Sequence, residues 1–417
     1  MMENEADDKL HKQKLLTLIQ QRMDYVRDYT DDEVEEFIDE ALLENEELSL
    51  CSVDYRRNFR QELFNSLRRL DVLQSFVEDA KVTEIMINGT EPIFVEKNGV
   101  LGQTDVRFES VEKLQDVIQR IVAGCNRVVN EASPIVDARL ANGSRVNVVM
   151  NPIALNGPIV TIRRFPDKPI TMDRLVEIES LSTEAALFLQ KLVKSGYNLF
   201  ISGGTGSGKT TFLNALSSYI HCVERVITIE DSAELQLQGI PNLVRLETRN
   251  SNVEGCREIT IRELIRSALR MRPDRIVVGE VRGAEAIDML QCLNTGHDGS
   301  MSTGHANSAR DMLARLENMV LMGMELPLAA IRQQIASGLD VIVHLGRLRD
   351  KSRRVLEITE VIDYRDGVIQ LNPLFVFRET GEDERGRIQG YLERKGVLLD
   401  ERKLRAAGLS ENAVDGG

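Results

Sequence analysis

The stretch Gly203-Gly204-Thr205-Gly206-Ser207-Gly208-Lys209-Thr210 constrains the fold of this chain more than any other. It matches the pattern G-x-x-x-x-G-K-[ST], with an apolar run of strand length before it and a helical pattern from Thr211 after it. Strand, glycine loop and helix are the setting in which this pattern binds a phosphate chain. The glycines let backbone N–H groups wrap a phosphate at the positive end of a helix. We therefore predict a nucleotide-binding domain in which Lys209 meets the β- and γ-phosphates and Thr210 holds Mg²⁺.

Length and charge limit the remaining possibilities. The chain has 417 residues, which suggests about two or three domains. Its net charge is −14, from 52 basic and 66 acidic residues, and this balance disfavours a nucleic-acid partner because nucleic acids are bound by basic surfaces.

No apolar run approaches the roughly 20 residues of a membrane span, and the first residues do not resemble a signal peptide. The 5 cysteines are scattered and odd in number, which favours free thiols without a structural zinc. We expect a cytoplasmic protein with no transmembrane segment.

The first half of the chain is predicted to hold two small domains. Residues 1–75 alternate charged and apolar positions at helical spacing and contain no glycine or proline, so a helical N-terminal domain is expected. Residues 1–50 carry 16 acidic and 5 basic side chains, a net charge of −11, which is typical of a solvated helical face and also fits a docking surface. Residues 76–165 read as an α+β domain, with a helix over 111–123 and two hairpins, one turning at Asn98-Gly99. Two prolines in 166–169 predict a linker over 166–180.

The second half is predicted to form the nucleotide-binding domain. Over residues 181–380, short apolar runs alternate with helical patterns, which predicts an α/β fold with a mostly parallel sheet. Residues 355–376 contain a further hairpin signal, Tyr364-Arg365-Asp366-Gly367-Val368. After Thr380 the sequence is charged and amphipathic, and we expect residues 381–417 to form a helical C-terminal extension.

Three polar stretches follow predicted strands, at the edge where open α/β sheets bind ligands. Glu230 and Asp231 end the run 226–230, Glu280 follows the run 275–278, and His305 lies among small polar residues after another strand-like run. A phosphate-transfer site needs acidic groups for metal and water, and a group that senses the γ-phosphate. Each of these residues also has an interpretation without a role in phosphate transfer. Glu230 could lie in a solvated loop, Glu280 could form an ion pair with Arg282, and His305 could be a structural histidine.

At this point the sequence resembles a known family. Four segments occur in order and are similar to the Walker A, Asp box, atypical Walker B and His box of the ATPases that drive type II and type IV secretion and type IV-like pili: 203–210, 228–231, 279–283 and 304–308. The run 268–300 is most similar to the CpaF branch, which powers tight-adherence (Flp) pili. The resemblance covers about residues 76–380. Two departures from the family are the lack of the Cys-rich metal module that type II pilus assembly ATPases often carry, which favours the CpaF branch, and Gly304, where relatives often carry a bulkier residue. Gly279 stands where Walker B elements in general usually carry aspartate.

The resemblance implies a RecA-like P-loop NTPase domain, preceded by the α+β domain and the small helical domain. Such proteins form homo-hexameric rings, bind ATP and Mg²⁺ between an N-terminal domain and the RecA-like domain, and act on inner-membrane platform proteins, so this chain is expected to lie peripherally at the inner face of the membrane. Nucleotide contacts are implied for residues 203–211, and Thr210 and Glu280 are the implied metal-binding residues. Arginines of the N-terminal domain reach a neighbouring site in these proteins, and the matching region here contains Arg139, Arg145, Arg163 and Arg164.

The leading interpretation is a Mg-dependent ATPase motor for tight-adherence pilus assembly or for type II/IV protein secretion. Lys209, Glu230, Glu280 and His305 are the predicted catalytic residues, and the sequence leaves open whether Glu230 or Glu280 is the base. Two other classes remain: a scaffold that binds ATP without hydrolysing it, and a P-loop kinase of small molecules. The intact acidic residues argue against the scaffold, and the large N-terminal half without a lid signature argues against the kinase. A motor acting on nucleic acid fits a pI of about 5.1 poorly.

Overall fold

The computed structural model describes residues 2–23, 27–45, 48, 51–97, 99–125, 127–165, 169–249 and 257–410. The chain divides into two compact units, Met1–Asp167 and Lys168–Gly417. Within its described residues the first unit begins with the helices α1 (Met2–Arg22), α2 (Asp31–Glu44) and α3 (Val53–Arg68), in agreement with the helical pattern predicted for this region. Helix α2 starts with a capping box in which the Thr30 hydroxyl accepts from the Glu33 N–H and the Glu33 carboxylate accepts from the Thr30 N–H.

Part of the negative charge of the first 50 residues is neutralised within these helices. Arg60 on α3 binds Asp39 and Glu35 of α2, at 2.5 and 3.0 Å. The apolar residues of the three helices form one core, which includes Ile19, Ile38 and Leu63, each 0% exposed. The acidic pattern therefore belongs in part to the packing of this bundle.

The rest of the first unit is a six-stranded antiparallel sheet with helices. After a 3₁₀ turn at Asp71–Leu73, the elements in chain order are α4 (Gln74–Glu78), β1 (Val82–Asn88), β2 (Phe94–Lys97), β3 (Val100–Gln103), α5 (Val111–Ala123), β4 (Ile135–Arg139), β5 (Arg145–Val149) and β6 (Ile159–Arg163). The strand order is β3-β2-β1-β6-β5-β4. The predicted helix over 111–123 and both hairpins are confirmed, although Asn98 of the first turn lies outside the described residues.

The second unit alternates helices and strands. Residues 166–168 of the predicted linker lie outside the described residues, and the rest of that segment contains a short helix. In chain order the elements are α6 (Met172–Glu177), α7 (Thr183–Lys194), β7 (Leu199–Gly203), α8 (Lys209–Ser217), β8 (Val226–Glu230), β9 (Leu243–Glu247), α9 (Ile261–Ala268), β10 (Arg275–Val278), α10 (Ala286–Leu293), β11 (Met301–Gly304), α11 (Ala309–Gly323), α12 (Leu328–Gly338), β12 (Val341–Arg347), β13 (Arg353–Arg365), β14 (Val368–Glu382), β15 (Ile388–Arg394) and α13 (Arg402–Ala406).

These strands form one nine-stranded mixed sheet in the order β15-β14-β13-β12-β7-β11-β10-β8-β9. The strands from β12 to β9 in this order are mutually parallel, and β13, β14 and β15 are added as an antiparallel extension. One apolar core, with Leu189, Phe212 and Leu216, covers one face, and a second, with Ile265 and Leu290, covers the other. The parallel strands read as near-continuous apolar runs because both faces are buried. Across the described ranges, every helix falls short of the length and hydropathy needed to cross a bilayer.

The prediction of a helical extension after Thr380 is wrong over most of this segment. Strand β14 continues to Glu382 and β15 pairs with it, and in the described part of the segment, up to residue 410, only the five residues of α13 are helical. Charged side chains on these outer strands are paired across the sheet, as between Arg378 and Glu393 at 2.8 Å. A charged amphipathic sequence fits a solvated sheet edge as well as a helix, and the preceding hairpin supplies the strand to which β15 binds.

Candidate functional site

The glycine loop 203–208 joins β7 to α8, which confirms the strand–loop–helix setting predicted from the sequence. Gly206 and Gly208 have φ angles of 70° and 94°, in the left-handed region that favours glycine. At Gly203 a Cβ atom would lie 2.4 Å from the carbonyl oxygen of Leu345, so only glycine fits against β12. The loop is thus shaped by glycines at positions where a side chain would strain or collide.

Lys209 begins helix α8 and is 8% exposed. Its Nζ donates to the carbonyl oxygens of Gly203 and Gly204, at 3.2 and 3.1 Å, so the ammonium group lies against the loop itself. Thr210 and Thr211 follow in the first turn and are half-buried. The Ser207 hydroxyl is buried and has no hydrogen-bond partner. A buried cation, an unpartnered hydroxyl and a glycine cradle at a helix N-terminus fit a phosphate chain.

The predicted acidic and histidine residues meet at the carboxyl ends of the parallel strands. His305 follows β11, and its ring nitrogens lie 3.3 and 3.4 Å from Lys209 Nζ. Its Nε2 lies 2.8 Å from Glu280 Oε1, an ion-pair distance without hydrogen-bond alignment. Burial and the neighbouring Lys209 ammonium lower the pKa of His305 below its ordinary value. Lys209, Glu280 and His305 are far apart in the sequence, and in the structure they form one cluster beside the loop.

Glu280 is bound on its other oxygen by Arg282. The guanidinium group donates to Oε2 from Nη2 and Nε, at 2.6 and 2.8 Å, and also lies 3.7 Å from Asp231. The Glu280 side chain is 18% exposed. The ion pair considered as an alternative from the sequence is therefore present, and it holds Glu280 next to His305.

Glu230 has a different environment. It ends β8, is 3% exposed, and its Oε1 accepts from the N–H groups of Glu234 and Leu235 at 2.7 and 2.8 Å. Its Oε2 is buried without a partner. Burial raises the pKa of Glu230 to about 7, against the opposing effect of the two backbone hydrogen bonds. A carboxylate with one anchored and one unpartnered oxygen, and with a pKa near neutrality, is suited to proton transfer.

Glycine at position 279 is explained by its distance to Glu230. A Cβ atom there would lie 2.8 Å from Glu230 Cγ and 3.3 Å from its Oε1. The aspartate that is usual in a Walker B element would thus collide with the buried glutamate. Glycine at position 279 therefore leaves the space that the buried Glu230 side chain occupies.

We expect Gly279→Ala to displace Glu230 and to destabilise the protein by about 1–3 kcal/mol, because overpacking against a buried side chain costs this much. Thermal unfolding should show a Tm lower by several degrees. Gly102→Ala on β3 is the control, since a Cβ there meets nothing within 4 Å. Equal Tm values for the two variants would contradict the prediction.

A cavity of about 450 Å³ opens beside the loop and His305. Its lining includes Gly204, Thr205, Asn307 and, from helix α11, Asp311 and Arg315. The volume is in the range of small-ligand sites. The α11 residues were not identified from the sequence, because a charged residue on an exposed helical turn carries no signal of its own.

Two further residues at the loop were also missed. His344 on β12 lies opposite Ser202 on β7, and its Nδ1 is 2.9 Å from the Ser202 hydroxyl in a buried hydrogen bond. Burial lowers the pKa of His344. Arg353 on β13 donates from Nε to the Gly206 carbonyl oxygen at 2.8 Å. The position of these two residues beside the loop depends on the order of strands in the sheet, which no local pattern gives.

The four arginines predicted from the resemblance lie in the first unit, and three of them form a row. Arg139 on β4 is the register partner of Arg145 on β5, which is the register partner of Arg163 on β6. Partners directly opposite each other present their side chains on the same face. Arg163 also lies 3.8 Å from Glu84, and Arg164 donates to the backbone carbonyls of Asp79 and Val82 within its own unit.

Comparison with known proteins gives consistent matches. A family model described as type II/IV secretion system protein matches residues 67–398. Rv3659c of Mycobacterium tuberculosis (strain H37Rv) is 35% identical over 307 residues, covering 72% of this chain and 86% of its own length. The conjugal transfer protein TrbB of Rhizobium radiobacter is 33% identical over 306 residues, covering 72% of this chain and 90% of its own. The crystal structure of the pilus retraction motor PilT with bound ADP has a similar fold, with a TM-score of 0.51 and 20% identity over 82% of this chain and 88% of that one.

Proposed function

Because this chain belongs to the type II/IV secretion system protein family, we propose that it is an ATP-hydrolysing motor of that family with a RecA-like nucleotide-binding domain. The observation that carries the proposal is the cluster in which the buried Lys209 meets His305, and His305 meets Glu280, beside the glycine loop. A phosphoryl-transfer site needs a phosphate cradle, a metal-binding group and a group that orients water. The described residues offer a candidate for each role.

The phosphate chain of ATP would be held by the N–H groups of residues 203–211 and by Lys209. Mg²⁺ would be held by the Thr210 hydroxyl and by Glu280, directly or through water, since hydroxyl and carboxylate oxygens are its usual ligands. When bound, the ion would neutralise charge that develops on the β- and γ-oxygens. Arg282 donates two hydrogen bonds to Glu280 Oε2 and so holds this carboxylate in place for that role.

Of the two glutamates, Glu230 is the better candidate for the base. Its Oε2 is unpartnered and its pKa is about 7, so near neutral pH it can take a proton from water. Glu280 is engaged by Arg282 and His305, and its charge is better suited to holding the metal. His305, between Lys209 and Glu280, is placed where a group sensing the γ-phosphate is required.

The motor is proposed to be a homo-hexamer in which an arginine of one copy completes the site of its neighbour. A guanidinium group that arrives from outside can offset the charge of phosphoryl transfer. We favour the row Arg139, Arg145 and Arg163 over Arg164, because Arg164 is bound by two backbone carbonyls of its own unit. The ring would change shape as ATP is hydrolysed.

The process that we propose is assembly of a tight-adherence pilus, since the run 268–300 is most similar to the CpaF branch of these ATPases. The name of TrbB, a conjugal transfer protein, supports secretion through a type IV system as the second candidate. In either case the motor would lie at the cytoplasmic face of the cell membrane and act on inner-membrane platform proteins.

The test of this proposal is Mg-ATP hydrolysis measured over a range of protein concentrations, for the wild type and for Glu280→Ala. Specific activity should rise steeply with concentration, because each site needs a neighbouring copy, and Glu280→Ala should lower it about 10²-fold or more. Glu325→Ala is the matched control, since Glu325 is exposed in the loop between α11 and α12.

Activity that does not change with concentration would mean that each copy is complete alone, and the proposed arginine contribution would be wrong. Tight ATP binding without phosphate release at any concentration would favour a scaffold that binds ATP without hydrolysing it. Transfer of the γ-phosphate to a metabolite would favour a kinase.

A further inference from the structure

The hairpin of β12 and β13 lies next to the glycine loop. Strand β12 is the parallel neighbour of β7, with Leu345 opposite Gly203, the first glycine of the loop. Strand β12 ends at Arg347 and β13 begins at Arg353, and these two arginines are register partners. Because partners directly opposite each other share a face of the sheet, both guanidinium groups lie on the same side of the hairpin.

Both arginines lie close to the loop. Arg353 Nε donates to the Gly206 carbonyl oxygen at 2.8 Å, and its Cδ lies 3.5 Å from the position that a Cβ of Gly208 would take. Arg347 Nη1 lies 3.8 Å from the corresponding position at Gly206. Two cations therefore flank the segment 206–208.

The surroundings of these arginines differ from those of their neighbours on the same hairpin. Arg349 binds Glu379 and Glu382, and Arg354 binds Glu179. Within the part of the chain that the structure describes, Arg347 and Arg353 have no ion pair with a carboxylate. Like charges directly opposite each other on neighbouring strands destabilise a hairpin. This arrangement would be relieved by an anion at the loop.

The bond from Arg353 has a direct effect on the loop backbone. The C=O and N–H of one trans peptide point in opposite directions, so holding the Gly206 carbonyl also fixes the direction of the Ser207 N–H. The Ser207 N–H makes only a long bond of 3.3 Å, to the Gly204 carbonyl oxygen. In loops of this kind the N–H groups contact the phosphates.

We propose that Arg353 is a positioning residue of the phosphate site: it holds the 206–207 peptide in place, so that the Ser207 N–H, which makes a long bond to the Gly204 carbonyl, is available to a phosphate chain, and Arg347 adds positive charge beside it. The inference rests on the proposed nucleotide-binding function and extends it to a strand 144 positions beyond Lys209. The part of the ligand that these two arginines would recognise is the polyphosphate chain, and neither arginine is proposed to contact the adenine ring.

The experiment measures binding of Mg-ADP and of inorganic tripolyphosphate with Mg²⁺, by displacement of a fluorescent ADP, for the wild type and for Arg353→Ala. Loss of a charge-assisted hydrogen bond should weaken both ligands about tenfold and to the same extent. The Tm of the ligand-free protein should stay close to that of the wild type. Arg353→Lys keeps a cation and a donor and should restore most of the affinity.

Arg349→Ala is the matched control, because Arg349 belongs to the same hairpin and binds two glutamates of β14, whereas Arg353 binds the loop carbonyl. Arg353→Gln keeps the stem that packs on Gly208 and serves if the alanine variant does not fold. Unchanged affinity in Arg353→Ala, with a wild type that binds ADP, would overturn this inference alone. Weaker ADP binding with unchanged tripolyphosphate binding would also overturn it, since Arg353 would then recognise the nucleoside. A wild type that binds neither ligand would overturn the proposed function as well.

Discussion

Lys209→Ala is expected to reduce ATP hydrolysis to below about 1% of the wild-type rate. Removing one preorganised donor from a site where negative charge develops costs about 10²–10³-fold in rate. Lys209 is also buried and begins the helix whose N-terminus faces the loop. Steady-state hydrolysis with saturating Mg-ATP measures the effect.

The control for this variant is Lys194→Ala, because Lys194 is exposed at the end of α7. Both variants should keep the wild-type circular dichroism spectrum, since the bonds of Lys209 Nζ to the Gly203 and Gly204 carbonyls and its contact with His305 lie at the loop and not in the apolar core. Wild-type turnover in Lys209→Ala would show that residues 203–210 do not form the phosphate site.

The second large effect is expected for Glu230→Gln, and it has a kinetic part and a stability part. If Glu230 takes the proton of the attacking water, the amide should lower kcat about 10²–10⁴-fold. The wild-type rate should fall on the acid side of pH 7, as the carboxylate becomes protonated. A pH–rate profile of both proteins measures this. A Glu230→Gln variant with wild-type kcat would assign the base to Glu280.

The stability part follows from the raised pKa. The carboxyl group of Glu230 titrates near 4.5 in the unfolded chain and near 7 in the folded protein. Below pH 4.5 both states are protonated and the glutamate carries no electrostatic cost. Between these values the unfolded state loses its proton first, so the free energy of unfolding falls as pH rises, by up to about 3 kcal/mol.

Glu230→Gln has no such titration and should keep that stability. Urea unfolding at pH 5 and pH 8 should therefore show a difference between variant and wild type that grows with pH. The amide oxygen can still accept from the N–H groups of Glu234 and Leu235, so the two proteins should be similar at low pH. A difference that is independent of pH would mean that Glu230 is not protonated near neutrality in the folded protein.

Several features of the site were predictable because the information is local in the sequence. Gly206 and Gly208 need left-handed φ angles whatever surrounds the loop, so the glycine pattern alone identified it. Glu230, Glu280 and His305 each follow an apolar strand run, and the parallel sheet brings their strand ends to one edge. These predictions needed only patterns of neighbouring residues and the rule that an open α/β sheet binds its ligand at the carboxyl ends of its strands.

Other features could not be predicted in this way. The segment after Thr380 has a charged amphipathic pattern that fits a helix or a sheet edge, and only pairing with β14 makes β15 a strand. Gly279 stood out as a departure from the Walker B pattern, but the reason is a contact with Glu230, 49 positions earlier in the chain. Arg353 carries no sequence signal at all, since its contact to Gly206 joins residues 147 positions apart.

By itself the sequence determined the phosphate loop, the order of the four motifs and the alternation that produces an α/β fold, because each depends on short-range backbone preferences and hydrophobic periodicity. The tertiary structure alone decided which carboxylate is buried with a pKa near 7, which arginine holds the loop, and why position 279 is glycine. These properties depend on desolvation and on contacts of a few ångströms between strands that are far apart in the sequence. Such contacts follow from the order of strands in the sheet, and no local pattern encodes that order.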